Sequence, residues 1–180
     1  MKSYILLLFA LVFAFSPTSS RSASTACEGY SVEKLGKVFE TGIRLNQRLK
    51  ELVRQIDSDD AVYAAARKKN SEFAEMQAIP CLDRAAKLLL RSKQHTLFGK
   101  VLALADSYEN MADESVSETL ALLYVARADD FEALLKLRSK PSQASLLKRT
   151  KEGIERQDSE IGKAITTDRA KRLERLLGTY

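Results

Sequence analysis

The chain reads as an all-α protein: a compact array of roughly six to eight antiparallel helices, either a helical bundle or a short stack of helical hairpins, tied by one disulfide. Three observations predict this. The 180 residues hold only 3 prolines and 7 glycines, no tryptophan, and many Ala, Leu, Lys, Arg and Glu, which are strong helix formers. Apolar residues recur at spacings of three and four in one segment after another. The breaks between those segments carry Ser, Thr and Asp, the residues that cap helices.

The start of the chain stands apart. Met1-Lys2-Ser3 supplies one positive charge, Tyr4 to Phe15 is unbroken apolar sequence, and Ser16-Pro17-Thr18-Ser19-Ser20 ends it. Cation, apolar stretch and small polar residues, in that order, make a secretory signal peptide. The run is shorter than the roughly 20 apolar residues of a membrane span, and no transmembrane segment is expected. Small residues at Ser24-Thr25-Ala26 or Ser22-Ala23-Ser24 suit cleavage between residues 20 and 26. Residues 1–26 are thus expected to be removed, leaving 27–180 as a single helical domain in the periplasm or outside the cell. Its two cysteines, Cys27 and Cys81, should then pair. A bridge closing a loop of this size stabilises by about 4 kcal/mol at most. Lipidation of Cys27 is the alternative, although Ser24 stands where lipoprotein signals usually carry Leu.

The elements follow in order. Ser31 opens a helix over 32–56 whose Leu35, Val38, Gly42, Leu45, Leu49, Leu52 and Ile56 form a heptad seam. That seam serves either a homodimer through residues 35–56 or, as short seams more often do, the core face of a bundle. Asp57-Ser58-Asp59-Asp60 caps a helix near 59–78 bearing Val62, Tyr63, Ala66, Phe73 and Met76. A calcium loop is rejected there, because Val62 holds the glycine position and Lys68 the bidentate glutamate position. Ile79-Pro80 ends that helix, and another spans Leu82 to Lys93. These elements make the N-terminal unit, 27–95.

The middle unit, 96–137, is more apolar and more acidic. Thr96 starts a helix through Tyr108, and Ser115-Val116-Ser117-Glu118 forms a capping box before the all-apolar run Leu120 to Ala126. A helix apolar on all sides belongs between other helices, so this is the expected centre. Asp129-Asp130 restarts the chain into Phe131, Leu134, Leu135 and Leu137, and Pro141 closes the unit. Phe98–Leu104 and Phe131–Leu137 lie 33 positions apart with apolar residues in register. Val125–Leu137 resembles the helix-turn-helix half of an ankyrin repeat, without its Thr-Pro-Leu-His start and with Asp129 where such repeats usually have Gly. The resemblance implies stacked antiparallel helices. The basic C-terminal unit, 138–180, carries a thin stripe of Leu146, Leu147, Ile154, Ile161 and Ile165, then a short helix with Leu173, Leu176 and Leu177 ended by Gly178.

Chemistry is sparse. His95 is the only histidine and sits at a helix C-terminus or turn, so no Cys/His zinc site and no cofactor is expected. Neither a Gly-x-Ser-x-Gly elbow nor a Gly-rich phosphate loop is present. Glu109 with Asp113 and Glu114 with Glu118 could serve a glycan hydrolase, but such pairs are usually solvated caps. The expectation is therefore a non-enzymatic, exported protein-binding module, such as a periplasmic immunity or inhibitor protein or an envelope-complex adaptor. Its acidic face, Asp106, Glu109, Asp113, Glu114, Glu118, Asp129, Asp130 and Glu132, would meet a basic protein partner. The alternative is an effector that meets a host protein or anionic membrane through 138–180. Nucleic acid is not expected, since no aromatic-rich basic surface is present.

Overall fold

The computed structural model describes residues 27–55, 60–108, 114–156, 169, 171–176 and 178. All the regular structure among them is helical: α1 (Val32–Arg54), α2 (Asp60–Phe73, continued by a π-helical segment, Ala74–Ala78), α3 (Pro80–Arg91), α4 (His95–Ser107), α5 (Glu114–Leu135) and α6 (Lys140–Glu155). Residues 171–176 add a short last helix. The leader, Asp57–Asp59, Glu109, Asp113, Ile161, Ile165, the Thr166–Asp168 cap and Leu177 lie outside the described residues.

Ser31 caps α1 by accepting from the Lys34 amide at 3.2 Å. The buried face of α1 is turned slightly from the expected seam. Leu35, Phe39, Gly42 and Asn46 are buried, in place of the line through Val38 and Leu45, which are only half-buried. Two heptad lines share Leu35, Gly42 and Leu49, and α1 packs on both α2 and α4, so both lines find neighbours within the chain. A Cβ on Gly42 would meet Tyr108 Oη at 2.8 Å and Leu104 at 3.0 Å, so any larger residue would have to displace these two buried side chains where α1 and α4 come close.

Ile79-Pro80 does not separate two helices by a loop. The backbone passes from α2 through the π segment, closed by Ile79 N–H donating to the Ala74 carbonyl at 2.9 Å, and into α3 with only Ile79 between. Pro80 is tolerated because it occupies the first turn of α3, where its missing N–H has no partner to lose. Pro141 likewise opens α6 rather than closing the unit before it. Ser139 is the cap there, accepting from the Ser142 amide at 3.4 Å. Cys27 and Cys81 form the expected disulfide, with Cα atoms 5.2 Å apart, tying the start of the described chain to the first turn of α3.

The apolar run of α5 is the centre, packed on α3, α4 and α6. Its Leu120, Ala121, Leu123 and Tyr124 are buried, whereas Ala126 faces solvent. Phe131 sits edge-on between Phe98 (6.1 Å between ring centroids) and Tyr124 (5.3 Å). Helix α5 starts already at Glu114, so Ser115 lies inside its first turn and is not the cap. The restart expected at Asp129 is a kink at Arg127, whose φ of −140° and ψ of 49° are non-helical. Against α5, Gly153 lets α6 approach until a Cβ there would overlap the Ser117 carbonyl.

Candidate functional site

Arginines from the centre and C-terminal part of the chain organise much of the acidic set. At the kink, Arg127 donates from Nη1 to the carbonyls of Leu89 (2.9 Å) and Ser92 (3.0 Å), the loose C-terminal end of α3. Its Nε and Nη2 grip Asp130 at 2.9 and 2.6 Å, and its guanidinium lies 5.2 Å from the Phe98 ring centroid. This bond to Arg127 is the main reason the Asp130 carboxyl is held below the usual carboxylate range. His95, placed at the start of α4 rather than at a helix end, brings Nδ1 within 4.0 Å of the same carboxylate.

Arg172 forms a second clasp, bidentate on Glu132 at 2.6 and 2.8 Å and reaching Asp129 at 2.9 Å. Tyr124 donates to Glu132 at 3.3 Å, and burial pushes its phenol up to about 12. Arg149, itself buried, caps α4 through the Ala105 and Tyr108 carbonyls at 3.0 and 3.1 Å. Of the remaining acidic residues, Asp106 accepts from the Ser142 hydroxyl at 2.9 Å and Glu114 pairs with Arg156 at 3.2 Å. Glu118 is exposed one turn beyond Glu114. The structure thus brings Asp129, Asp130 and Glu132 together, as stitches between helices. Among the described residues no group of three or more His, Cys, Asp or Glu could hold a metal ion. No described helix is long and apolar enough to cross a membrane.

A different surface is left open. The lower half of α1 and all of Asp60–Phe73 form a two-helix arm, with the helix of α2 resting mainly on α1. Among the described residues between 44 and 73, only Asn46, Leu52 and Asn70 are buried. Val53 continues the buried line Leu35–Phe39–Gly42–Asn46 yet is 64% exposed, because the body under that line has ended. On α2, Val62 is 48% and Met76 72% exposed. Lys69, Glu72, Phe73, Met76 and Gln77, all from this one helix, line a shallow groove largely open to solvent. The arm is pinned at its base by polar groups: Asn70 Nδ2 donates to Asn46 Oδ1 at 3.1 Å, and Asn46 Nδ2 to the Ser107 carbonyl. The π segment at the groove is a local widening of a kind frequent at functional sites.

Sequence reasoning named Val62, Phe73 and Met76 together but missed that Val62 and Met76 face outward, whereas the Phe73 ring is half-buried beside Gly42. The available signal was the composition of α2. Its line Val62, Ala66, Lys69, Phe73 and Met76 contains a lysine and a small alanine, too thin an apolar face to be buried on two sides. Comparison of the chain with family models, with curated proteins and with solved structures finds no match.

Proposed function

We propose that this chain is an exported, non-enzymatic helical binding module that holds or blocks another protein at the cell envelope, as an immunity protein, an inhibitor or an adaptor does. One observation carries the reading. A disulfide-tied helical body projects a two-helix arm whose large apolar side chains, Val53, Val62 and Met76, stand in solvent. Exposed apolar side chains beside an open groove, on an element that adds little to the core, are the property of a contact surface. The acidic face is the weaker candidate, since Asp129, Asp130 and Glu132 are already neutralised by Arg127 and Arg172. The basic tail is weaker too, because Arg138, Arg149, Arg156 and Arg172 bond to groups of this same chain.

Capture from an envelope extract tests the reading, using tagged wild type beside Met76→Lys and Val53→Asp. A protein recovered at near-stoichiometric level with wild type and lost with the arm variants is the expected result. Recovery indifferent to both variants, or nothing above background, removes the proposal. The mass of the exported protein tests the address, and an N-terminus between residues 21 and 27 is expected.

A further inference from the structure

One line of α2, exposed at Val62, Lys69 and Met76 and half-buried at Ala66 and Phe73, is built to fit itself. Val62, Ala66, Lys69, Phe73 and Met76 follow one another at spacings of four, three, four and three, the seam spacing of a coiled coil. The wide turn of the π segment keeps Met76 in register, since it lines the same groove as Lys69, Glu72 and Phe73. We propose that the occupant of this groove is a second copy of the chain, docked antiparallel through α2 about a two-fold axis that passes between Lys69 and Phe73, at the level of Ser71 along the helix.

The argument is complementarity in size and in charge. Isologous contacts require a surface that matches itself when turned by 180°. An antiparallel pair centred on Ser71 sets the small Ala66 against the long Met76 of the second copy. It also sets the stem of Lys69 against the edge of Phe73 that reaches the groove in that copy, with the Lys69 ammonium beside its Glu72. Lys69 is exposed, and the Lys68–Glu72 pair on the same helix is loose at 3.9 Å and solvent-facing, so Glu72 loses little by turning to the new cation. A groove with one cation, one anion and two apolar side chains does not call for a uniformly acidic or basic partner. The α1 seam is not the contact, because Leu35, Gly42 and Leu52 are buried within their own chain. This inference rests on the reading of the arm as a contact face.

Sedimentation equilibrium of the protein recovered from an exporting host, over a wide concentration range, tests it. Wild type should show a monomer–dimer equilibrium. Met76→Lys, at a position 72% exposed and so neutral for folding, should weaken the dimer by roughly tenfold or more. Lys69→Glu should weaken it as well, by setting two carboxylates side by side, and Lys69→Glu/Glu72→Lys should recover most of the loss. A wild type that stays monomeric up to about millimolar concentration overturns the proposal. So does a Met76→Lys dimer as tight as wild type, or a double swap no tighter than Lys69→Glu alone. The measurement contains only this protein, so its failure leaves the envelope capture standing. A dimer with no captured partner removes the binding-module reading alone.

Discussion

The body and the arm solve opposite problems with the same kind of helix. In the body, Leu97, Phe98, Val101, Leu102, Leu104 and Ala105 give α4 a face that is almost wholly buried, and α5 answers with Leu120, Leu123, Tyr124 and Phe131. In the arm, α2 buries a single side chain of its α-helical stretch, Asn70, and that one is polar. Hydrophobic stabilisation follows apolar area removed from water, so the fold is held by the body and the arm rides on it. The lesson is a division of labour. Of the large apolar side chains that stand in solvent, Val53, Val62 and Met76 lie on the arm and Leu137 in the turn after α5, so the element that contributes least to the core exposes most of them.

Phe131→Ala should break the comparison most visibly. The ring is fully buried between Phe98 and Tyr124, and its removal should cost about 3–5 kcal/mol in chemical denaturation. The parallel truncation in the arm, Val62→Ala, should stay within about 0.5 kcal/mol. Similar losses at the two positions would mean that the arm is as much a part of the core as α5.

Next in size is the disulfide. Cys27→Ala/Cys81→Ala should lower stability by about 2–4 kcal/mol, through freedom regained by the unfolded chain. Because Cys81 follows the π segment by only three residues, the arm should suffer more than the body. Amide exchange in α2 should rise in the double variant while α5 stays protected. Uniform loosening of both would argue against independent regions.

The contrast also separates what was legible in the sequence from what was not. Class, disulfide and the central place of the Leu120–Ala126 run follow from composition, the expected export and the run's apolarity, each a local property of the chain, although Ala126 itself faces solvent. The phase of α1 was not legible, because two heptad lines share Leu35, Gly42 and Leu49 and only the positions of α2 and α4 decide between them. Ile79-Pro80 read as a break because proline usually is one; here the helix boundary falls on the proline itself, and a π segment supplies the turn. The kink at Arg127 depends on the carbonyls of Leu89 and Ser92, which are distant in sequence. As for the acidic face, charge counts reveal the carboxylates but not their partners. Arg172 lies some forty residues from Asp129 and Glu132.

Gly153→Ala probes the body at its tightest helix crossing. The added methyl would overlap the Ser117 carbonyl, which is backbone and cannot swing aside as a side chain can. Separation of α5 and α6 should cost about 1–3 kcal/mol. Gly99→Ala is the control: a Cβ there meets nothing within 4 Å, and better helix propensity should leave stability level or slightly higher. Equal losses at the two glycines would show that backbone freedom, and not the close approach, is what Gly153 provides.

The smallest and most discriminating effects lie with two buried tyrosines, one on each side of the comparison. Tyr108 stands at the base of the arm against Gly42, and its hydroxyl finds no hydrogen-bond partner among the described residues. Tyr124 stands in the body and donates to Glu132. At neutral pH, Tyr124→Phe should therefore cost about 0.5–1.5 kcal/mol, whereas Tyr108→Phe should be neutral or slightly stabilising. Burial raises both phenols to about 12 in the folded protein, against about 10 in an unfolded chain. Between those values the unfolded chain has given up protons that the folded one keeps. Stability must then fall as pH rises from about 10 to 12, and below that window the two groups have no effect on its slope. Each Tyr→Phe variant should flatten part of the alkaline decline. If Tyr108→Phe leaves that decline unchanged while Tyr124→Phe flattens it, the base of the arm opens to water well before the body does, and the arm is the less stable of the two regions.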